Sequence, residues 1–269
     1  MKFRFPVSLL AVLLCFFPQI PDAQDKNDKS WFAGGASDID SGDGRRANKA
    51  IAKWTAKNGK QGDILLSGSP YYWDASKPGR PVFIRIIKNE NRKGHLEVWL
   101  ENPATKKFEH LKTYRIARFS GRLGPKTREG DFQAPEGFYY ISRKGLNPVS
   151  NYHLSMNIGY PNAYDRAKGY TGSFIMIHGS SVSIGCYAMT DNSIEQIYTL
   201  VDRALAKGQK FVRVHCFPFE MSEENLEKHS DSKHYQFWKN LQEGWDWFEE
   251  NKRPPNVSVS GGKYVFSKD

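Results

Sequence analysis

A histidine and a cysteine stand eight positions apart in one short segment, with a glycine directly after the first and directly before the second. The apolar run behind a glycine at 172–178 predicts a short buried strand that ends at His178. Small and polar residues at 179–183 interrupt regular structure, and Gly185 returns the chain to Cys186 through a turn. The segment therefore predicts a strand end and a tight turn that hold an imidazole near a thiol.

This pairing is the one that a cysteine nucleophile needs. A free thiol has a pKa of about 8.5, so little thiolate exists near neutral pH unless a base or a positive charge activates it. His178 is the nearest candidate base, and backbone N–H groups in the turn are placed to point at a carbonyl oxygen. The spacing leaves open the alternative of a core histidine beside an inert buried thiol.

Residues around this segment resemble the catalytic domain of the L,D-transpeptidase (YkuD-type) family. That family shares H-G, a short insertion and S-x-G-C-x-x-M, a pattern that residues 178–189 match. The resemblance covers residues 80–217 and is most similar to the YafK-like subgroup. The stretches that carry it are 121–139, 155–166, 178–191 and 208–214.

The resemblance implies a mostly β (α+β) fold, a β-sandwich or barrel of the L,D-transpeptidase type over residues 80–217, with added helices after the nucleophile and at the C-terminus. The local pattern is compatible with this fold. Residues 82–88 and 95–101 predict two strands of a hairpin around a polar turn that contains Gly94, and residues 108–119 predict a third strand.

Helical spacing of apolar residues appears in two later regions. One helix is predicted to begin at Thr190 or Asp191, either of which suits a cap, and to end at Gly208. Residues 218–269 are predicted to form a C-terminal helical extension and tail. Its first part is aromatic-rich at helical spacing, which favours packing over a sugar-binding platform, and the part after Arg253 is predicted to be a loose tail.

The resemblance also implies a mechanism. His178 takes the proton of Cys186, the Gly179 carbonyl orients the imidazole, and the thiolate attacks the carbonyl of meso-diaminopimelate in a peptidoglycan stem peptide. A thioester forms, and an amine or water resolves it. The implied oxyanion hole consists of the backbone N–H groups of Gly185, Cys186 and Tyr187. Four side chains are expected to line the substrate groove: Ser183, Arg166, Tyr160 and His153. For Tyr160 and His153 a structural role is an equal alternative.

Departures from the family pattern leave the acyl acceptor open. Many members carry a second histidine directly before the G-C pair and an arginine after the cysteine, where this chain has Ile184 and Ala188. Cross-linking, or attachment of an outer-membrane lipoprotein, is the general activity, whereas the subgroup and Ala188 favour hydrolytic release of such a lipoprotein. A wall-binding module without catalysis is the third hypothesis, and it predicts an unreactive thiol. A papain-like protease is disfavoured because its cysteine precedes its histidine by a long interval.

The N-terminus has the features of a secretory signal peptide. Basic residues precede an apolar run at 7–17, which is shorter than the roughly 18 apolar residues that a membrane span needs, and Ala23 offers a cleavage site. Residues 1–23 are therefore predicted to be a signal peptide and the mature chain to be periplasmic, with a retained anchor as the alternative. Residues 24–79, rich in Asp, Gly and Ser, predict a flexible leader with a short helix at 47–57.

Loss of the signal peptide would leave two thiols, Cys186 and Cys216, in an oxidising compartment. A disulfide between them is the alternative to a free nucleophile and a partly buried second thiol. The free form is favoured because a chain of this length can build an ordinary core without a disulfide. No cluster of His, Cys and carboxylate residues has metal-ligand spacing, so neither a metal nor a cofactor is predicted.

The formal net charge of +10 raises the question of a nucleic-acid partner. No basic helix, zinc-ligand spacing or aromatic RNA-binding strand accompanies the charge, so that class is disfavoured. The Lys and Arg residues are scattered, which is typical of a solvated surface and could attract anionic wall polymers. The predicted partners are peptidoglycan stem peptides and, in the hydrolytic alternative, an outer-membrane lipoprotein.

Overall fold

The computed structural model describes residues 79–268. The predicted signal peptide and the short helix at 47–57 lie outside these residues, as does all but the end of the predicted leader. Within them no helix is long and apolar enough to cross a membrane. The elements are, in chain order, β1 (Val82–Ile87), β2 (His95–Glu101), β3 (Phe108–Arg115), β4 (Arg118–Phe119), β5 (Gly137–Ile141), β6 (Leu146–Asn147), β7 (Ser155–Asn157), α1 (Ala163–Ala167), β8 (Met176–His178), β9 (Tyr187–Ala188), α2 (Asp191–Ala206), β10 (Val212–Phe217), α3 (Glu223–Glu227), α4 (Tyr235–Asn251), β11 (Asn256–Ser260) and β12 (Lys263–Ser267).

The first sheet has five strands in the order β3, β2, β1, β10, β5. β1 and β2 form the predicted antiparallel hairpin, in which Val82 pairs with Leu100 and Ile87 pairs with His95. β10 adds on the other side of β1 and runs parallel to it. Every residue of β1 is buried because the strand lies in the middle of the sheet and both faces are covered.

The second sheet consists of shorter strands in the order β4, β9, β8, β7, β6. β8 and β9 are parallel neighbours, whereas the other pairs are antiparallel. A parallel connection usually takes a dozen or more residues. Here residues 179–186 make the whole connection, so the chain turns back sharply where the candidate site residues lie.

The main core lies between the two sheets and α2. Its members are fully or almost fully buried, and each such aliphatic side chain contributes about 1.5–3 kcal/mol relative to an exposed one. Representative residues from β1, β2, β7, β8, β9 and α2 are Ile84, Leu96, Val98, Met156, Ile177, Tyr187, Ile194, Ile197 and Val201. Two sheets packed face to face, with few helices, confirm the predicted mostly β (α+β) fold, and α2 confirms the predicted helix after the cysteine.

The single strand predicted at 108–119 is wrong, because the chain changes sheets within it. β3 ends at Arg115, and β4 begins at Arg118 in the second sheet. Between them Ile116 is buried and donates its N–H to the Gly94 carbonyl, and the Ala117 N–H donates to the Ala188 carbonyl. Apolar alternation predicts extended chain but does not identify the sheet that it joins.

The buried strand predicted at 172–178 is shorter than expected, since only Met176–His178 pairs as β8. Phe174 has a φ of 54° and is 55% exposed, so the chain leaves the extended conformation there. An apolar run alone therefore overestimates the length of this strand.

The C-terminal extension covers the other face of the first sheet. Phe138 from β5 and His215 from β10 project from that face, with ring centroids 4.7 Å apart. Phe138 also packs against Tyr264 of β12 at 4.8 Å, and Phe217 of β10 packs against Trp245 of α4 at 5.0 Å. These aromatic contacts attach α3, α4 and the β11–β12 hairpin to the first sheet.

The loose tail predicted after Arg253 is wrong. Residues 256–267 form an antiparallel hairpin, and Tyr264 is buried with its backbone N–H donating to the side-chain oxygen of Asn240 at 2.8 Å. The hairpin signal was present in the sequence, because apolar residues alternate on both sides of the pair Gly261 and Gly262.

Candidate active site

Parallel strands β8 and β9 bring the histidine and the cysteine to one surface. Ile177 pairs with Tyr187, and both are fully buried in the core. The next residue of β8 is His178, and one step back in the same register puts Cys186 beside Met176, whose N–H donates to the Cys186 Sγ at 3.4 Å. Because side chains alternate along a strand, His178 and Cys186 lie on the same face of the sheet, opposite to Ile177 and Tyr187, and His178 is only 3% exposed there.

The hydrogen bond of His178 determines which ring nitrogen is available. Nδ1 lies 2.6 Å from the Gly179 carbonyl oxygen, which can only accept, so Nδ1 carries the proton and Nε2 is left as the basic nitrogen. Burial lowers the pKa of His178, and the hydrogen bond to Gly179 offsets part of this effect. The ring of Tyr152 lies against the imidazole, with centroids 4.7 Å apart. The imidazole is therefore neutral near pH 7 and held in one orientation.

Gly179 is required by the close approach of two neighbours. A Cβ at this position would lie 2.6 Å from the Tyr152 carbonyl oxygen and 2.7 Å from Asp191 Oδ1. The same Asp191 oxygen accepts the Ser180 N–H at 2.7 Å, which joins the loop after β8 to the first residue of α2. A glycine at this position thus permits the close contacts that hold the loop in place. Those contacts position the Gly179 carbonyl, to which the His178 imidazole donates.

The Cys186 thiol is half-buried and lies between two backbone groups. Besides accepting from Met176, Sγ lies 3.6 Å from the Phe174 carbonyl oxygen, to which the S–H donates. Burial raises the pKa of Cys186, while the Met176 N–H and the charge of Lys126 act to lower it. The resting state is therefore a neutral thiol beside a neutral imidazole.

Lys126 is a buried cation whose charge acts on the Cys186 thiol, and the sequence pattern did not indicate it. It is 4% exposed, and its Nζ donates to Asp131 Oδ1 at 2.5 Å and to the Arg128 carbonyl at 2.8 Å. Although burial favours a raised pKa for Asp131, bonds from Lys126 and from backbone N–H groups hold it below its usual value. Lys126 falls within the segment that resembles the family, but neither its spacing nor its neighbours indicated a contact with the thiol.

The turn before Cys186 is closed by Ser183. Its hydroxyl donates to the Cys186 carbonyl at 2.7 Å, and its oxygen accepts the Gly185 N–H at 3.3 Å. Gly185 has a φ of 139°, a region that favours glycine. Of the three backbone donors predicted for an oxyanion hole, the Gly185 N–H thus already has a partner. Tyr187, which supplies another, is buried in β9 and anchored by its hydroxyl to the Pro135 carbonyl at 2.5 Å.

Each of the other residues predicted to line the groove already makes hydrogen bonds within the chain. The Tyr160 side chain is 5% exposed, and its hydroxyl lies 3.2 Å from the carbonyl oxygens of Lys126 and Thr171. Arg166 donates from Nη1 to the Pro161 carbonyl. His153 Nε2 lies 2.6 Å from Glu195 Oε1 of α2, and its Cβ lies 3.1 Å from the place that a Cβ on Gly179 would take. His153 is therefore adjacent to the loop at Gly179, and Tyr160 is close to Lys126. The residue-by-residue account of the groove stays a prediction.

Exposed apolar side chains border the thiol. Phe174 supplies the carbonyl next to Sγ, Ile184 is 74% exposed two residues before the cysteine, and Tyr152 is 45% exposed beside the imidazole. Phe132 is 58% exposed and, like Phe174, has a φ above 50°. Large apolar side chains at such positions are unusual and cluster at functional sites. The carbonyl oxygen of Gln133, the residue after Phe132, lies 3.6 Å from the place that a Cβ on Gly185 would take, so Phe132 belongs to a loop that borders the turn before Cys186. We refer to these four exposed residues as the apolar rim of the candidate site.

The second thiol forms no disulfide with the first, and it is fully buried where the sequence predicted partial burial. Cys216 is fully buried in β10, both Cys186 and Cys216 are free, and burial raises the pKa of Cys216 to about 12. Between residues 79 and 268 no group of three or more His, Cys, Asp or Glu side chains is placed to hold a metal ion.

Comparison with known proteins gives the family. The model of the YkuD L,D-transpeptidase catalytic domain matches residues 100–214. YafK of Escherichia coli strain K12, described as a candidate L,D-transpeptidase, is 47% identical over 190 residues, which is 71% of this chain and 75% of YafK. This chain belongs to the L,D-transpeptidase family. The same protein of E. coli O157:H7 matches this L,D-transpeptidase equally well.

Solved structures show weaker similarity to this L,D-transpeptidase. The helical cell shape determining protein Pgp2 of Campylobacter jejuni is 20% identical, and the match covers 74% of this chain and 80% of Pgp2 at a TM-score of 0.40. Bd1075 of Bdellovibrio bacteriovorus is 18% identical, with coverage of 65% and 63% and a TM-score of 0.35. At these TM-scores the family assignment rests on the sequence matches alone.

Proposed function

We propose that this L,D-transpeptidase is an envelope cysteine enzyme that acts on peptidoglycan stem peptides through a thioester at meso-diaminopimelate. The observation that carries the proposal is the placement of His178 and Cys186 on one face of adjacent parallel strands, with Nε2 of the histidine left as the base. Family membership supports a peptidoglycan-related enzymatic role. The predicted signal peptide supports action in the periplasm.

In this mechanism the proton moves as the substrate is attacked. The pKa of Cys186 is raised and that of His178 is lowered, so the resting pair is uncharged. His178 Nε2 takes the thiol proton while Sγ bonds to the diaminopimelate carbonyl carbon, and the electron pair of the C=O bond moves to the oxygen. The backbone N–H groups at Cys186 and Tyr187 are the proposed donors to this oxyanion, and one such donor is commonly worth about 3–4 kcal/mol of barrier.

Collapse of the tetrahedral intermediate completes acylation. The C–N bond to the leaving residue breaks, His178 returns its proton to the departing amine, and the thioester remains on Cys186. An amine or water then attacks the thioester carbonyl, with His178 again accepting the proton and returning it to the thiolate. Lys126 stabilises negative charge on sulfur in each step, since its charge lowers the pKa of Cys186.

Hydrolytic release of an outer-membrane lipoprotein from the wall is the second candidate, and it uses the same thioester. The arginine that many family members have after the cysteine is replaced by Ala188, which is fully buried and paired with His178 in the sheet. Because that side chain cannot bind an acceptor's carboxylate, a site that admits water is favoured over one that retains a peptide acceptor. A wall-binding module without catalysis remains the alternative to both.

The test compares the mature chain, residues 24–269, with Cys186→Ala and with Cys216→Ala as the matched cysteine control. Each protein is incubated with diaminopimelate-containing muropeptides and with lipoprotein-linked wall fragments, and the products are identified by mass spectrometry. Cross-linked or exchanged termini that depend on Cys186 would establish transfer. Trimmed stems or released lipoprotein would establish hydrolysis. The proposal is refuted if neither substrate yields a product that requires Cys186 and survives Cys216→Ala.

A further inference from the structure

A second cleft, of about 500 Å³, lies in the C-terminal extension between α4 and the β11–β12 hairpin. This volume is in the range typical of small-ligand sites. Aromatic contacts hold the extension on the face of the first sheet that is turned away from the core supporting β8 and β9. The cleft is therefore separate from the Cys186 site. Its lining includes Asn240, Glu243, Trp247, Ser260, Lys263 and Phe266.

Trp247 differs from the other large aromatic residues of α4. Trp238 and Phe248 are almost fully buried, and Trp245 packs on Phe217 and under the Arg85 guanidinium. Trp247 is half-buried on the cleft wall. Within residues 79–268 its ring has no aromatic neighbour and its indole N–H has no hydrogen-bond partner. An indole on a cleft wall with an unpaired N–H donor, unlike one used in packing, is available to a ligand.

The charges in the cleft favour a neutral ligand. Glu243 and Lys263 are both exposed and carry opposite charges, so the lining has no net charge. Glu243 Oε1 lies 3.3 Å from Asn240 Nδ2, and Ser260 adds a hydroxyl at the hairpin turn. A carboxylate, an ammonium and a hydroxyl around one aromatic face offer donors and acceptors to hydroxyl and amide groups but little attraction for an ion.

An extended peptide is a poor match for this cleft. A peptide strand would add to the free edge of β12 through backbone hydrogen bonds. At Tyr264 that edge is already occupied, because the Asn240 side chain accepts from the backbone N–H at 2.8 Å and donates to the carbonyl at 2.9 Å. The amide thus blocks strand addition at the centre of the cleft.

We propose that this cleft binds the N-acetylated glycan of peptidoglycan, with a pyranose ring on Trp247 and the polar groups of Glu243, Ser260 and Lys263 on its hydroxyl and acetamido substituents. The choice of this polysaccharide rests on the proposed function. Sugar binding here holds the enzyme on the polymer, so stem peptides on the same strand are present at a high effective concentration.

The test is calorimetric titration of the full mature chain, carrying Cys186→Ala to prevent turnover, with the β-1,4-linked N-acetylglucosamine tetramer. We expect saturable binding that Trp247→Ala weakens by about tenfold or more. Gly261→Asn is a second variant, because Gly261 lines the cleft, has a φ of 56° and has open space around an added Cβ. Asn tolerates this conformation, and Asn-Gly is a favoured two-residue hairpin turn, so the side chain obstructs the cleft while the fold is kept. Phe132→Ala, at the exposed rim of the other site, is the matched control.

The outcomes are separable from those for the active site. No saturable tetramer binding, or equal binding by the parent, Trp247→Ala and Gly261→Asn, overturns the proposal. Weaker binding by Phe132→Ala alone would also overturn it, because the sugar would then lie at the Cys186 site. The same holds if a free stem tripeptide binds and Trp247→Ala abolishes that binding. If Trp247→Ala is unfolded by circular dichroism, Gly261→Asn decides. Because turnover is not measured, a chain without the proposed activity can still bind the sugar.

Discussion

Replacing Lys88 by methionine tests a fully buried ion pair that holds the loop preceding β5. Lys88 and Glu136 both have no exposed surface, and Nζ lies 2.9 Å from Glu136 Oε1. The ammonium also donates to the carbonyl oxygens of Arg122 at 2.8 Å and Ala134 at 3.0 Å. The other carboxylate oxygen of Glu136 accepts from the indole N–H of Trp238 in α4 at 2.8 Å. The pair therefore connects β1, the loop and the C-terminal extension.

Methionine has nearly the same length but removes the N–H donors of the Lys88 ammonium. The Glu136 carboxylate would be left buried without a cation, a change that typically costs about 3–5 kcal/mol. The carbonyls of Arg122 and Ala134 would lose the ammonium as a donor, but each still accepts from Gln133 Nε2, at 2.6 Å and 3.4 Å, so each lost bond adds only about 0.5–1.5 kcal/mol. These costs overlap, and we expect a loss of about 4 kcal/mol in the free energy of unfolding. At about 2–4 °C per kcal/mol for a domain of this size, Tm should fall by roughly 8–16 °C.

Urea unfolding of the mature chain, followed by tryptophan fluorescence, measures this loss. Lys93→Met, at an exposed lysine in the β1–β2 turn, is the control and should change stability by no more than about 0.5 kcal/mol. The double variant Lys88→Met with Glu136→Gln should recover part of the loss, because the unpaired charge is removed. A loss below about 1 kcal/mol for Lys88→Met would show that water or a rearranged loop replaces the ammonium, and would refute this reasoning.

Three further predictions concern the site and the pH dependence of stability. Lys126→Met should raise the pKa of Cys186, because the Lys126 charge lowers it; the pH midpoint of iodoacetamide alkylation measures this, and an unchanged midpoint contradicts it. Gly179→Ala should cost about 1–3 kcal/mol of stability and reduce kcat, since its Cβ would lie 2.6 Å from the Tyr152 carbonyl oxygen; unaltered kinetics would show that the loop relaxes freely. The pKa of His215 is lowered well below its ordinary value, first by burial and then by nearby arginines. The unfolded chain therefore binds more protons than the folded chain below pH 6.5, so the free energy of unfolding falls on acidification by up to about 1.4 kcal/mol per pH unit. His215→Leu should flatten this dependence, which urea titrations between pH 5 and 7 measure.

The sequence predicted those elements that depend on local pattern. The β1–β2 hairpin follows from two apolar runs around a turn that contains Gly94, and α2 follows from helical spacing that ends at Gly208. The break between β3 and β4 was not predictable in this way. Ile116 and Ala117 continue the alternation of the strand, yet their backbone N–H groups bond to Gly94 and Ala188, which belong to distant parts of the chain.

The candidate site also combines residues that a local pattern predicts with residues that only the fold brings near. His178, Gly179 and Cys186 were identified because their spacing and family pattern are local, and the resemblance supplied their roles. Tyr152 and Lys126 were missed, since the Tyr152 ring packs on an imidazole about 26 residues away in the chain and the Lys126 charge acts on a thiol about 60 residues away.

The sequence by itself determined the family, the mostly β class and the candidate site residues, because motif spacing and apolar periodicity are properties of neighbouring residues. Only the tertiary structure decided the protonation state of the candidate pair His178 and Cys186, which depends on how deeply both groups are buried and, for Cys186, on the charge of Lys126. It also decided that the region after Arg253 is an ordered hairpin, because Tyr264 packs on Phe138 and bonds to Asn240. Burial and long-range pairing are properties of the assembled sheets, and no single segment encodes them.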